Sequence, residues 1–237
     1  TLNNLLKNSF LLYKPKDIVS GDFYWVNEKH DKLFLAVVDC TGHGVPGAFM
    51  SIIGVELFDS IINDQGITKA ESILYEMNKG ISATLSKDEG KNRSIQDGMD
   101  IALCVIDKKR NELEFAGAFR PLYLLRDNKI EEVKGDRFSV GLNENLTSAE
   151  GITKRTFSLN EHDMIYLFTD GYADQFGGPE GKKYKYRRFR HLLLTIHKLP
   201  VEQQQYYLKK SIEEWMGNQE QIDDILIVGF NPRTIPG

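Results

Sequence analysis

The sequence predicts an α+β fold in which two antiparallel β-sheets pack as a sandwich with helices on the outside. Short apolar or aromatic runs separated by turn residues occupy residues 20–40, 99–159 and 164–169. Two stretches with helical spacing of apolar residues, 46–85 and 187–216, each follow such a group. Strands followed by paired helices, repeated along the chain, predict sheets whose outer faces are covered by helices.

The 237-residue chain is predicted to form one domain, residues 1–237. Its hydrophobic content of 41% is enough for a sizeable core, and no Pro-, Gly- or Ser-rich linker divides it. The net charge of -4 and the pI near 5.8 argue against a general nucleic-acid binder. Because the chain starts at Thr1 without Met, we expect a segment of a longer, regulated protein.

The two cysteines, Cys40 and Cys104, do not have the spacing of a zinc site or of a disulfide framework. This favours a reducing, cytoplasmic location. The most apolar stretch, SIIGVELFDSII, is interrupted by Glu56 and Asp59, so no membrane span is predicted, and no signal peptide is visible.

The run LFLAVV, residues 33–38, predicts a strand buried on both faces, because it is too short for a helix and too uniformly apolar for a half-exposed strand. Asp39 lies at the exit of this strand. Gly42 and Gly44 permit positive φ in the turn that follows, and Pro46 suits the first position of a helix that continues to Ile62. Asp39 on its own could simply cap the turn.

A second carboxylate changes this interpretation. The run SGDFYWV predicts a strand entered from Asp22, and the polar residues 27–32 predict a hairpin connection to the next strand. The hairpin places Asp22 and Asp39 opposite each other at its open end. Like charges directly opposite destabilise a sheet, so we expect a hard divalent cation between them, with magnesium, manganese and calcium as candidates.

The remaining elements follow in order. Residues 1–13 fit either a short helix or an edge strand. The helix from Pro46 should bury one face, and Thr68 should cap a second helix that runs to about Leu85 beside it. The residues expected on the buried face of the first helix are Ala48, Met50, Ile53, Leu57 and Ile61. Residues 86–98 predict a mobile surface loop that could screen the site, and residues 99–159 predict an antiparallel meander.

Two more aspartates occupy the same kind of position. Asp170 follows the apolar run MIYLFT, and Asp223 precedes the final strand in QIDDILIVGF. In an antiparallel sheet the exit of one strand lies beside the entry of its neighbour. Asp39 and Asp170 at exits can therefore meet Asp22 and Asp223 at entries, which predicts a metal cluster at one edge.

Four stretches of the chain, in their order, resemble the metal-dependent PPM-type protein serine/threonine phosphatases and, among these, the bacterial SpoIIE-like branch. They are DIVSGDFYWV, VVDCTGHGVPGAFM, MIYLFTDGYAD and IDDILIVGF. The resemblance implies a sandwich fold and two Mn²⁺ or Mg²⁺ ions. By position, Asp39 would bridge the ions, Asp22 would serve the first ion, Asp170 and Asp223 the second, and Cys40 would offer its backbone carbonyl.

The resemblance further implies hydrolysis of phosphoserine or phosphothreonine by a metal-activated water. His43 is a candidate general acid, and the alternative is that it packs or hydrogen-bonds within the turn. Asp174 resembles the ligand of a weaker third ion, with a helix or turn cap as the alternative. Asp224 is expected to be structural. No arginine lies near SGDFYWV, so phosphate capture would rest on the metals and on backbone amides of the turn at 42–44.

The implied partners are a phosphoprotein substrate of the anti-anti-sigma type and an attached or separate sensor region, with a homodimer also considered. The basic, aromatic segment 181–191 is either solvated or docks an acidic phosphoprotein. Two other functions stay open: a dinuclear hydrolase of small phosphate esters, and a catalytically weak signalling module of the same fold.

Overall fold

The computed structural model describes residues 5–42, 44–85 and 97–234. Within them, two five-stranded antiparallel sheets pack face to face and helices cover both outer faces. The predicted α+β sandwich is confirmed.

Twelve strands are present in the described residues. In chain order they are β1 (Ser9–Lys14), β2 (Phe23–Lys29), β3 (Lys32–Cys40), β4 (Met99–Asp107), β5 (Glu112–Ala118), β6 (Leu122–Arg126), β7 (Lys129–Val133), β8 (Lys154–Ser158), β9 (Met164–Phe168), β10 (Phe176–Gly177), β11 (Lys182–Lys183) and β12 (Ile225–Phe230). Sheet I has the order β2-β3-β4-β5-β8, and sheet II has the order β1-β12-β9-β6-β7. The short β10 and β11 pair with each other.

The helices are α1 (Gly44–Asp59), which continues into a π-helical turn at Ser60–Asp64, α2 (Ala70–Leu85), the single turn α3 (Gly171–Asp174), α4 (Lys185–Ile196) and α5 (Val201–Met216). Helices α1 and α2 pack on the outer face of sheet I, and α4 and α5 pack on the outer face of sheet II. As predicted, α1 and α2 lie side by side, since a Cβ at Gly80 would meet the side chain of Leu57 at 2.7 Å.

Strand alternation divides the core into three layers. In β3, Phe34, Ala36 and Val38 pack beneath α1 and α2, whereas Leu33, Leu35 and Val37 face sheet II. All six are fully buried, which confirms a strand covered on both faces. The odd-numbered positions of β3 therefore point into the space between the sheets, and Asp39 is the next odd position.

Two local predictions are corrected, and one alternative that the sequence left open is decided. The connection predicted over residues 27–32 is a two-residue turn at residues 30 and 31. Residues 27–29 belong to the paired part of the hairpin, in which Lys29 lies opposite Lys32. Residues 99–159 are not one meander, because the chain crosses from β5 in sheet I to β6 in sheet II, and β8 returns to pair with β5. The ambiguous N-terminal segment contains an edge strand, β1, paired with β12.

The predicted buried face of α1 is partly wrong. Met50 and Ile61 are buried, and Ile53 and Leu57 pack partly buried against the same core, but the prediction omitted the buried Gly47, Gly54 and Phe58, and Ala48 is only half-buried. A Cβ at Gly54 would lie 2.6 Å from Phe23, so the absence of a side chain lets the helix approach the sheet. A pattern that scores only apolar side chains cannot detect a contact made by glycine.

One helical run among the described residues, Gly44–Asp64, is long and apolar enough to cross a membrane by length and composition. No membrane span was predicted, because Glu56 and Asp59 interrupt the apolar stretch. A core helix meets the same test, and Met50 and Phe58 of this run pack into the layer between α1, α2 and sheet I.

Candidate metal centre

The β2–β3 hairpin brings Asp22 and Asp39 together. Its register runs from Lys29 opposite Lys32 to Phe23 opposite Val38, and one further step places Asp22 opposite Asp39. Both residues occupy alternating strand positions whose side chains face sheet II. Asp22 is only 4% exposed, and the predicted pairing of the two aspartates at the open end of the hairpin is confirmed.

Sheet I contributes a third carboxylate, that of Asp100. This residue enters β4 and is the direct cross-strand partner of Asp39. Its carboxylate accepts a hydrogen bond from Ser139 Oγ at 2.6 Å. Asp100 is a carboxylate at a strand entry like Asp22, but its place in the centre depends on the pairing of β4 with β3, which local sequence patterns do not predict.

Sheet II contributes Asp170, directly before α3, and Asp223, two residues before β12. The two segments are held together by Thr169, whose backbone N–H donates to Leu226 O at 3.0 Å. A Cβ at Gly171 would lie 2.0 Å from Asp224 O, so only glycine allows this approach. The acidic centre thus consists of carboxylates from both sheets: Asp22, Asp39, Asp100, Asp170 and Asp223.

Arg120 lies among these carboxylates. It follows β5 in the connection that crosses to β6, and its Nη2 donates to Asp100 Oδ2 at 2.9 Å and to Asp170 Oδ2 at 3.0 Å. Its Nη1 is 3.6 Å from Asp39 Oδ2. One guanidinium therefore connects the two sheets across the acidic centre. Nothing in the periodicity of the sequence identified this residue.

The electrostatics of the centre are unfavourable for unpaired carboxylates. Burial, followed by the charge of Asp39, raises the pKa of Asp22 to about 10. Burial raises the pKa of Asp39 to about 8, although the charge of Arg120 opposes this, and burial also raises the pKa of Asp223. Asp22 Oδ2 is buried without a hydrogen-bond partner. Buried polar atoms are nearly always satisfied, so this oxygen is one that a bound cation could satisfy.

The donor set fits a hard divalent ion, because carboxylate and carbonyl oxygens are the ligands that Mg²⁺ and Mn²⁺ take in proteins. As they stand, however, no three Asp, Glu, His or Cys side chains in the described part of the chain form a group that could hold a metal ion. Arg120 contacts Asp39, Asp100 and Asp170 instead. Metal binding would therefore require these side chains to rearrange.

Asp224 has the predicted structural role. Its carboxylate accepts hydrogen bonds from the backbone N–H groups of Lys16 at 2.7 Å, Gly21 at 2.9 Å and Asp22 at 3.4 Å. It therefore fixes the loop that carries Asp22. This ties the entry of β2 in sheet I to the entry of β12 in sheet II.

The turn after Cys40 has the expected glycine conformations, with φ of 83° at Gly42 and 67° at Gly44. Helix α1 begins at Gly44, and Pro46 lies in its first turn. A Cβ at Gly47 would lie 2.4 Å from Gly42 O and 2.8 Å from Gly21 Cα, so the turn, the helix start and the loop before Asp22 touch one another. His43 lies outside the described residues, and so do residues 86–96 of the predicted screening loop.

Two further predicted features are already paired within the domain. Asp174, the candidate ligand of a third ion, forms an ion pair with Lys183 at 2.9 Å. In the basic segment 181–191, Arg188 stacks over the ring of Trp215 at 4.4 Å, and Arg190 lies 3.3 Å from Glu132. Several cations of this segment thus have partners in the same chain.

An α+β sandwich of two antiparallel sheets with covering helices is the architecture of PP2C-type phosphatase domains. The chain belongs to the SpoIIE family of such domains, because the family described as "Stage II sporulation protein E (SpoIIE)" matches residues 29–232. A search of curated proteins gives no significant match.

Solved structures share this fold. The SiaA-PP2C domain of Pseudomonas aeruginosa is 33% identical, with a TM-score of 0.86 over 97% of this chain and 88% of that chain. The PP2C phosphatase domain with a fragment of the regulatory domain of SpoIIE from Bacillus subtilis is 19% identical, with a TM-score of 0.71 over 94% of this chain and 62% of that chain. The RsbU and RsbW domains of Rv1364c from Mycobacterium tuberculosis also reach 0.71 at 19% identity, over 98% and 62%.

Proposed function

We propose that this domain is a Mn²⁺- or Mg²⁺-dependent phosphatase that hydrolyses phosphoserine or phosphothreonine in a regulatory protein. The observation that carries the proposal is the convergence of carboxylates from two sheets at one end of the sandwich, where Asp22 Oδ2 is buried without a partner. Membership of the SpoIIE family supports the class of reaction.

In this proposal Asp22, Asp39 and the backbone carbonyl of Cys40 would hold a first ion. Asp170 and Asp223 would hold a second ion and would share Asp39 with the first. When bound, such ions would supply an activated water and would neutralise charge on the phosphoryl oxygens. Asp174 remains the candidate ligand of a weaker third ion.

Other residues of the chain hold the segments of the proposed metal ligands in position. Asp224 holds the loop of Asp22, and the Thr169–Leu226 hydrogen bond holds the segment that carries Asp170. The thiol of Cys40 is not the nucleophile in this proposal, because burial raises its pKa well above the usual value and keeps it protonated. A reaction without a covalent phosphoenzyme is consistent with that state.

Proton supply and phosphate capture are assigned to the turn that follows Cys40. His43 is proposed as the general acid for the leaving serine or threonine oxygen, since it lies four residues after Asp39. The backbone N–H groups of Gly42 and Gly44, at the start of the 16-residue helix α1, suit an anion.

The proposed substrate is a phosphoprotein regulator of the anti-anti-sigma type, with activity controlled by an attached or partner sensor region. Two related structures support the idea of attachment: one contains a phosphatase domain and a fragment of a regulatory domain, and the other contains RsbU and RsbW domains.

The test is release of phosphate from p-nitrophenyl phosphate and from phosphoserine and phosphothreonine peptides, each with Mn²⁺ and with EDTA. We expect hydrolysis that requires the ion and that is faster with the phosphopeptides than with p-nitrophenyl phosphate. Preference for small esters would identify a small-molecule hydrolase instead. No hydrolysis under any of these conditions, by a folded protein, would contradict the proposal.

A further inference from the structure

Arg120 contacts three carboxylates of the acidic centre, namely those of Asp39, Asp100 and Asp170. Its side chain is only 13% exposed, and its Nε is buried without a hydrogen-bond partner. The guanidinium is therefore held by charge and by the geometry of its two terminal nitrogens.

The backbone that carries Arg120 is specialised for this position. The preceding residue, Phe119, has φ of 53°, a left-handed conformation that is strained for a bulky side chain, and its own side chain is half exposed. The Arg120 N–H donates to Ala118 O at 2.6 Å in a tight turn. A Cβ at Gly117 would lie 2.5 Å from Arg120 O. The packing of the Phe119 ring does not require this strained backbone. The strain therefore points to a role for Arg120, the residue that it positions.

The same oxygens are needed for two purposes. Asp39 and Asp170 are proposed metal ligands, yet both face the guanidinium, and Asp170 Oδ2 already accepts a hydrogen bond from it. A cation that binds these oxygens directly competes with Arg120 for their negative charge and their lone pairs. Because binding equilibria are linked, any change that stabilises the contact of Arg120 with these carboxylates weakens the binding of divalent ions by the same free energy.

We propose that Arg120 is an internal counter-cation of the acidic centre. It balances the carboxylates before metal binds, and it competes with the divalent ions for Asp39 and Asp170, so that it lowers their affinity. Asp100 is the partner that Arg120 keeps during this exchange, because Asp100 is not among the proposed ligands and is held in place by Ser139. The inference rests on the proposed divalent-ion site.

The test compares Arg120→Gln, Arg120→Lys and wild type, with Arg126→Gln as the matched control. Arg126 is at the far end of β6 and also forms a two-point ion pair, with Asp163 at 2.8 and 2.6 Å. Metal-free protein is titrated with Mn²⁺ in a calorimeter, and each protein is melted in EDTA and in saturating Mn²⁺. Neither measurement depends on catalysis.

We expect Arg120→Gln to bind Mn²⁺ about fivefold or more tightly than wild type. The same variant should melt below wild type in EDTA, with the difference reduced by Mn²⁺. Arg120→Lys keeps the charge and should bind within about threefold of wild type. Arg126→Gln should melt lower in both conditions and bind Mn²⁺ as wild type does.

Unchanged or weaker Mn²⁺ binding by folded Arg120→Gln would overturn the inference while leaving the proposed metal site intact. Absence of Mn²⁺ binding by wild type would instead refute the metal site. A variant that folds only with Mn²⁺ would support the inference, because the ion then replaces the missing charge. If Arg120→Gln folds in neither condition, the Mn²⁺ affinity of Arg120→Lys becomes the test. A change of more than about tenfold in that affinity relative to wild type would contradict a role based on charge.

Discussion

Asp39 and Asp100 are directly paired across β3 and β4, and the guanidinium of Arg120 contacts both of their carboxylates. Like charges at such a position destabilise a sheet unless a cation compensates for them. The domain therefore carries an electrostatic cost at the end of its inter-sheet layer.

We expect Asp39→Asn to lose at least about three orders of magnitude of turnover. The proposed bridging ligand positions both ions, and because uncatalysed hydrolysis of phosphate monoesters is extremely slow, little rate should remain without them. The measurement is turnover at saturating Mn²⁺, with circular dichroism as the control for folding. Retention of more than about a tenth of wild-type turnover would show that Asp39 does not bridge the ions.

The metal-free domain should lose stability as pH rises from about 4 to 8. Burial raises the pKa of Asp39 from 3.8 to about 8 and that of Asp22 to about 10. In this range the unfolded chain gives up these protons while the folded chain retains them, so ionisation favours unfolding as pH increases. Denaturant titrations in EDTA across this range measure the effect. A rise in stability with pH would mean that the two carboxylates are already compensated.

Mn²⁺ should raise the melting temperature of the wild type by roughly 5 to 10 °C. At ~100 times its dissociation constant, one ion that binds only the native state contributes ~2.7 kcal/mol, and each kcal/mol moves the midpoint by ~2 to 4 °C in a domain of this size. The response should largely disappear in Asp39→Asn.

The same calorimetry separates a ligand from a structural cap. Because Asp39→Asn removes repulsion, its melting temperature in EDTA at alkaline pH should equal or exceed that of the wild type. A clearly lower value would assign Asp39 to capping the turn rather than to metal binding.

Cys40→Ser should keep activity within several-fold of the wild type. The proposed ligand is the backbone carbonyl, which the substitution preserves, and the buried thiol is protonated because burial raises its pKa. Turnover with Mn²⁺, before and after treatment with a thiol reagent, provides the measurement. A loss of a hundredfold or more would indicate chemistry at the sulfur.

Asp224→Ala should destabilise the domain and weaken Mn²⁺ binding together. The substitution leaves three backbone N–H groups of the loop before β2 without their acceptor, and each such loss costs about 1 to 3 kcal/mol when the group stays buried. The control is Asp31→Ala, which removes only a surface ion pair with Lys109. Thermal melts and Mn²⁺ titration of both variants test this. Equal behaviour of the two would exclude a positioning role for Asp224.

The sequence alone determined the class of fold and four members of the acidic centre. Local signals were sufficient because a buried strand, a glycine turn and a polar hairpin tip are each encoded within a few neighbouring residues. Once two strands form a hairpin, the positions of Asp22 and Asp39 follow from counting outward from its tip. The motif order in turn indicated the family that the comparison with known proteins then showed.

Only the tertiary structure decided which strands are neighbours and what lies between the sheets. The crossover from β5 to β6 places Arg120 beside carboxylates of both sheets, and the β3–β4 pairing places Asp100 opposite Asp39. The buried face of α1 depends on a glycine contact that no apolar pattern contains. These features result from packing between segments distant in sequence, and local periodicity carries no information about the choice of partner.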